Sequence, residues 1–381
     1  MKNRRSLTIF TLILSVLASF ALLPQMQAAP QVAPPPDGCY PGFTTAEGCK
    51  ALQFLGAGAG NTGVGWYSLY LVGAGNYNTG VGAGTLVLNT ADSNSSIGAA
   101  ALLLNTTGTE NVAVGTDALV FNDSGSLNNA VGAFALFNNI DGSFNNAFGD
   151  SALFENVHAS NNTAIGDSAL ASNDNTAAGL ATGNTAIGAL ALFSNTDGDS
   201  NTAVGSQALF SNTTGVDNTA SGFRALMSNT SVDNTANGAF ALQSNTMGSN
   251  NTAIGSQALS FNTEGSGNTA TGGSALFSNT TGDFNTASGD EALFANTTGA
   301  QNTATGSAAL SSNTSGSGNT ANGFQALLKT LRAILTRPAA FLRFRVTPPA
   351  TSTSPPVSRR FLTIQQGTRT LQWELAHFLT T

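Results

Sequence analysis

Reduced to apolar and polar positions, the chain from Thr44 to Leu327 repeats one phrase, as in NTAVGSQALFSNTTGVD from Asn201. Units begin at Thr44, Asn61, Asn78, Asn94, Asn111, Asn128, Asn145, Asn162, Asn175, Asn184, Asn201, Asn218, Asn234, Asn251, Asn268, Asn285, Asn302 and Asn319. Thirteen of the seventeen intervals are 17 residues long, two are 16, and two around Asn175 are irregular. The ninth residue is leucine in every unit but the one at Asn175, for example Leu52, Leu119, Leu209, Leu276 and Leu327. The fifth is always glycine, from Gly48 through Gly205 to Gly323, which fits a turn with positive φ or a close backbone approach. Helical repeats usually need about 33 residues and avoid a glycine in every turn. Seventeen residues suit a coil of two short strands and two turns, each strand pairing in parallel with its equivalent in the next coil. The pattern predicts an all-β parallel β-solenoid of about eighteen 17-residue coils, with leucine as the core ladder.

Stacking assigns the polar positions as well. Asparagine recurs at the first and usually the twelfth place, as at Asn201 and Asn212, where an amide can bond to its equivalent one coil away. Threonine at the second and thirteenth places suits strand and turn edges. The tenth residue is phenylalanine in six units: Phe137, Phe154, Phe193, Phe210, Phe277 and Phe294. If the ninth and tenth residues share a strand they point to opposite faces, so these rings form an outer apolar stripe through which chains associate.

The flanks differ from the body. Residues 1–29 place Lys2, Arg4 and Arg5 before an apolar run and small residues at Ala28 and Ala29, the pattern of a secretory signal peptide, with an uncleaved anchor as the alternative. Residues 30–43 read as a Pro-rich linker or N-terminal cap, residues 44–328 as the repeat domain, and residues 329–381 as a basic, irregular tail, degenerate, truncated or out of frame, with a basic surface-binding tail as the alternative. Cys39 and Cys49 close a small disulfide loop in an oxidising compartment, with unpaired or intermolecular thiols as the alternative.

Only 9% of residues are charged, and 43 are glycine. Between Thr44 and Leu327, eighteen acids face Lys50 and Arg224 alone, a net charge of about −16 that repels phosphates and excludes nucleic acid as the body's ligand. The tail reverses the sign with Lys329, Arg332, Arg337, Arg343, Arg345, Arg359, Arg360 and Arg369 against Glu374. Catalysis finds little to work with. His158 and His377 are the only histidines and share no motif. Asp197, Asp199 and Asp217 lack the spacing of a calcium-binding nonapeptide, and Gly58, Gly60 and Gly63 match GxGxxG without its strand, helix and acid. The expectation is therefore no enzyme, no cofactor, no metal and no small-molecule substrate.

NTAIG at Asn184 and Asn251, NTAVG at Asn201 and NVAVG at Asn111, within the wider NTAxG, AL and NT spacing, resemble the head repeats of trimeric autotransporter adhesins of the YadA type. That resemblance implies a left-handed β-roll, three chains side by side, and adhesion to a host cell, matrix or neighbouring cell at a bacterial surface. The unit here is longer than the usual head repeat. Its fourth position changes from apolar (Val64, Val114, Ile165) to often polar (Ser221, Asn237, Thr305), and the residues after Leu328 show neither the heptad stalk nor the four-strand anchor with a terminal aromatic that such adhesins carry. Ser358, Arg359, Arg360 and Phe361 faintly resemble the opening of a self-cleaving tail-spike chaperone domain, but Leu362 stands where that motif has a lysine. Two alternatives remain: a solenoid that binds ice or another crystal surface through regularly spaced threonines, and a remnant of a tail-spike-like protein.

Overall fold

Positions two to four of each regular unit form a three-residue strand, from β1 (Thr45–Glu47) to β17 (Thr320–Asn322). The computed structural model describes residues 42–327, so the signal segment, Cys39, His377 and the basic tail lie outside the described residues. The strands join in a single 17-stranded sheet in which each pairs in parallel with the next, threonine over threonine and alanine over alanine, as at Thr202↔Thr219 and Ala203↔Ala220. The result is an all-β parallel β-solenoid of about sixteen turns, without a helix among the described residues.

Each coil contains one strand, not the two that its length suggests. Beyond the glycine turn, the second wall alternates its backbone. The seventh and ninth residues have positive φ while those between them do not, and every ninth-position leucine from Leu52 to Leu327 lies at φ 50–53°. This alternation turns successive peptide groups toward the neighbouring coils. Asp117 N donates to Ala99 O of the preceding coil (3.0 Å), whereas Leu119 N donates to Ala135 O of the following one (3.0 Å). The left-handed conformation costs roughly 1–2 kcal/mol per leucine, and burying that side chain gains roughly 1.5–3 kcal/mol. The hydrogen bonds between coils add to the gain.

The core lies between the two walls, built from third-position alanine, eighth-position alanine and ninth-position leucine, nearly all with no exposed surface. At Gly205 φ is +129°, and a Cβ there would stand 2.6 Å from the carbonyl oxygen of Gly222 in the next coil. The fifth position therefore excludes side chains for two reasons, conformation and space.

Two columns of buried asparagine close the coil at the remaining corners. Asn201 and Asn212 both donate to the Gly215 carbonyl of their own coil, at 2.7 and 2.9 Å. Their amide oxygens receive the amides of the next coil, Asn218 at 3.1 Å and Asn229 at 3.4 Å. Each rung thus satisfies a turn carbonyl and links two coils.

The unit that begins at Asn175 contributes no strand. β8 (Thr163–Ile165) pairs directly with β9 (Thr185–Ile187), Thr163 over Thr185, with the extra residues looped out after Asn173. The buried Asp174 carboxylate holds that loop, accepting from the backbone N–H groups of His158 (2.8 Å), Ala159 (3.1 Å) and Gly179 (2.7 Å). Its amide ladder continues undisturbed, because Asn195 Nδ2 reaches across the insertion to Asn173 Oδ1 at 2.9 Å.

Candidate interaction surfaces

Strand geometry decides what each coil shows to its surroundings. With the third residue buried, the second and fourth point outward from the sheet. At the fourth place stand Val64, Val81, Ile97, Val114, Val131, Phe148, Ile165, Ile187 and Val204, apolar in every strand from β2 (Thr62–Val64) to β10 (Thr202–Val204). Several are well exposed, Ile97 at 50% and Phe148 and Ile165 at 42%. From β11 (Thr219–Ser221) onward the same place holds Ser221, Asn237, Ile254, Thr271, Ser288, Thr305 and Asn322. The sheet therefore carries an apolar outer face on its first half and a mostly hydroxyl-bearing one on its second.

The opposite wall carries a second apolar column. Phe137, Phe154, Phe193, Phe210, Phe277 and Phe294 are all half-buried. They stack in three parallel pairs: Phe137 on Phe154 (5.1 Å, 3°), Phe193 on Phe210 (5.3 Å, 7°) and Phe277 on Phe294 (5.0 Å, 4°). Phe121 and Phe261 meet the edges of Phe137 and Phe277. Because the tenth residue does not lie in a strand, its direction follows from the alternating wall and not from the twofold strand rule. Each ring covers the ring of the adjacent coil and keeps part of its surface in water.

The predicted core residues occupy the interior. Leu119, Leu209 and Leu276 are fully buried, Leu52 nearly so, and Leu327 is partly buried at the last described coil. Gly48, Gly205 and Gly323 have φ of 115°, 129° and 128°. Cys49 is exposed, and its expected partner Cys39 lies outside the described residues.

Charged groups are dispersed over the turns. His158 Nδ1 lies 2.6 Å from Asp141 Oδ1, one coil below, both partly exposed. Lys50 Nζ meets the Tyr67 hydroxyl at 2.6 Å, and this hydrogen bond raises the Lys50 pKa above its ordinary value. Burial raises the Asp117 carboxyl above the usual aspartate range. Among the described residues no group of three or more His, Cys, Asp or Glu is placed to hold a metal, and no helix is long and apolar enough to cross a membrane.

No known family model matches the chain, and no curated protein matches it. The faces themselves carry the functional reading.

The sequence pattern missed the exposure of the fourth position. The signal was its switch from valine and isoleucine to serine, threonine and asparagine while the leucine ladder stayed constant. A position whose chemistry changes without disturbing the core faces outward.

Proposed function

We propose that this chain is an exported, adhesin-like structural protein of the bacterial surface, whose rod presents repeated side chains to a cell, matrix or neighbouring-cell ligand. The observation that carries this reading is the unbroken apolar fourth position from Val64 to Val204, several of whose side chains stand open to solvent. Nine strands at a spacing of about 4.8 Å make that column about 40 Å long. A soluble rod does not leave such a column in water, and a second apolar column on the other wall gives each chain two different contact faces. Two unlike faces make a heterologous contact, which closes into a ring where the rotation between chains allows it, and three chains are the smallest such ring. Together with the resemblance to adhesin head repeats, which implies a left-handed β-roll of three chains, this supports a trimer with a structural role and no catalytic one. Its length supplies many weak contacts to a surface at once, which raises avidity without a single deep site.

Light scattering of the purified full chain tests the assembly. Three chains per particle are expected at micromolar concentration. Ile97→Lys with Ile165→Lys, on the exposed column, is expected to yield monomers with unchanged circular dichroism. A wild-type chain that stays monomeric at high concentration overturns the assembly. Adhesion is tested separately, by binding of labelled full chain to cells and matrix-coated surfaces.

A further inference from the structure

The second half of the sheet asks for a different partner. Threonine occupies the second position in ten consecutive strands, from Thr163 to Thr320. These residues lie in register, Thr269 over Thr286 and Thr286 over Thr303. From β11 to β17 the fourth position adds Ser221, Thr271, Ser288 and Thr305, so most of these strands offer two outward polar side chains around a buried alanine. Both outward residues are exposed in β14 (Thr269–Thr271), β15 (Thr286–Ser288) and β16 (Thr303–Thr305).

Three properties separate this face from an ordinary polar surface. No charged side chain stands at either outward position from Thr219 to Asn322, although the body is acidic. Among the described residues, the hydroxyls of Thr269, Thr271, Thr286, Ser288, Thr303 and Thr305 have no hydrogen-bond partner within the chain. The turn threonines behave otherwise: Thr246 Oγ1 donates to Thr263 O at 3.0 Å and Thr280 Oγ1 to Thr297 O at 3.0 Å. Finally, the core beneath is the same in both halves, Leu119 and Leu276 both being fully buried, so folding does not demand the change.

We propose that the outward face of β11 to β17 binds ice. Neighbouring hydroxyls along the ladder are separated by about 4.8 Å, and the two on one strand by about 6.6 Å. One water molecule bridges the shorter gap with two ordinary hydrogen bonds, so the threonine column holds its bound water in a regular row, and β14 to β16, with hydroxyls at both outward places, hold two such rows side by side. Threonine is stiff at χ1, and the backbone ladder fixes its position, so little freedom is lost when that array meets a crystal of water. The face is uncharged throughout, its methyl and hydroxyl groups interrupted at the fourth place by Asn237, Ile254 and Asn322, and an uncharged face suits a neutral lattice. An amorphous polar partner gains nothing from a strict repeat, and a crystalline polysaccharide finds no aromatic ring at either outward position on which to stack its sugars. Seven strands engage together, which makes weak individual contacts additive on an ordered surface. This goes beyond the adhesion reading and is independent of the apolar half, so either can fail alone.

The test uses the purified full chain in an ice-partition assay, with thermal hysteresis and ice-recrystallisation inhibition measured on the same samples. The wild-type chain is expected to enter growing ice and to shape its crystals. Thr286→Lys with Thr303→Lys is expected to lower partition at least tenfold, whereas Thr214→Lys, on an exposed turn, is expected to leave it unchanged. Thr286→Val with Thr303→Val keeps the shape and removes two hydroxyls, and is expected to reduce partition severalfold. Circular dichroism checks that each variant is folded. Folded wild-type chain that stays in the liquid overturns the proposal, as does full retention by the lysine variant. Undiminished partition of the valine variant overturns the hydroxyl–water bridge. Binding to crystalline cellulose or chitin without binding to ice assigns the face to a carbohydrate and also overturns it.

Discussion

Removing one rung of an amide column measures how far this fold depends on its buried asparagines. Asn212 donates to Asn195 Oδ1 at 3.0 Å and to the Gly215 carbonyl at 2.9 Å, and receives Asn229 Nδ2 at 3.4 Å. In Asn212→Ala the consequences are unequal. Gly215 O keeps the Asn201 amide at 2.7 Å, and Asn229 keeps the Ser231 carbonyl at 2.9 Å. Asn195 Oδ1 loses the donor that satisfies it and is fully buried. An unsatisfied buried acceptor costs about 1–3 kcal/mol, and each lost hydrogen bond about 1 kcal/mol net. The expected loss is therefore about 3–5 kcal/mol, most of it felt by the adjacent coils, because repeat units couple to their nearest neighbours. Guanidinium unfolding reads the total, and amide hydrogen exchange reads its location, with lost protection centred between Asn195 and Asn229. Asn212→Asp adds a sign. Its carboxylate would face two acceptor oxygens in a buried site, so its folded pKa lies above the unfolded value of about 3.9. Stability is then lost as pH rises through that window and partly regained below it, where the protonated acid can donate again. A cost under about 1 kcal/mol for alanine, or uniform loss of protection along the rod, would refute the reasoning.

Two further outcomes follow from the same geometry. Gly205→Ala sets a Cβ against the Gly222 carbonyl at positive φ, so its melting temperature is expected to fall by several degrees, measured by thermal circular dichroism. Asp117 has a raised pKa through burial, so its ionised form opposes folding: stability contributed by the protonated acid is lost as pH rises from about 3.8 through the folded pKa. Asp117→Asn is therefore expected to be more stable than the wild type at pH 7, with the difference vanishing near pH 3. Melting curves at both pH values check this.

Most of the architecture was legible in the sequence because it depends on equivalence between units. A leucine, a glycine and two asparagines at fixed places identify the core, the turn and the amide columns, and equivalent residues stack wherever the period is constant. The second wall was not legible. A leucine inside an apolar phrase suggests a strand, and nothing local indicates φ near +50°, which leucine adopts here because hydrogen bonds to both adjacent coils compensate its strain. The Asn175 unit misled for a related reason. Its Asn-Thr-Ala start and its glycine at Gly179 imitate a coil, yet too few residues separate it from Asn184 to form two walls. The two outward faces were half legible. The composition of the second and fourth positions was visible, but their exposure required knowing that a single strand, with its third residue buried, forms the outer sheet.

Spin labels on cysteines at Thr202 and Thr303, with Cys39 and Cys49 replaced by serine, test the stacking itself most directly. The two sites lie on strands six steps apart. Stacked coils put them about 29 Å apart with a narrow distribution. A flexible chain of the intervening length gives a broad distribution around 50–60 Å. A sharp distance near 29 Å by double electron–electron resonance is the expected result, and the broad one would contradict the solenoid and every face assigned to it.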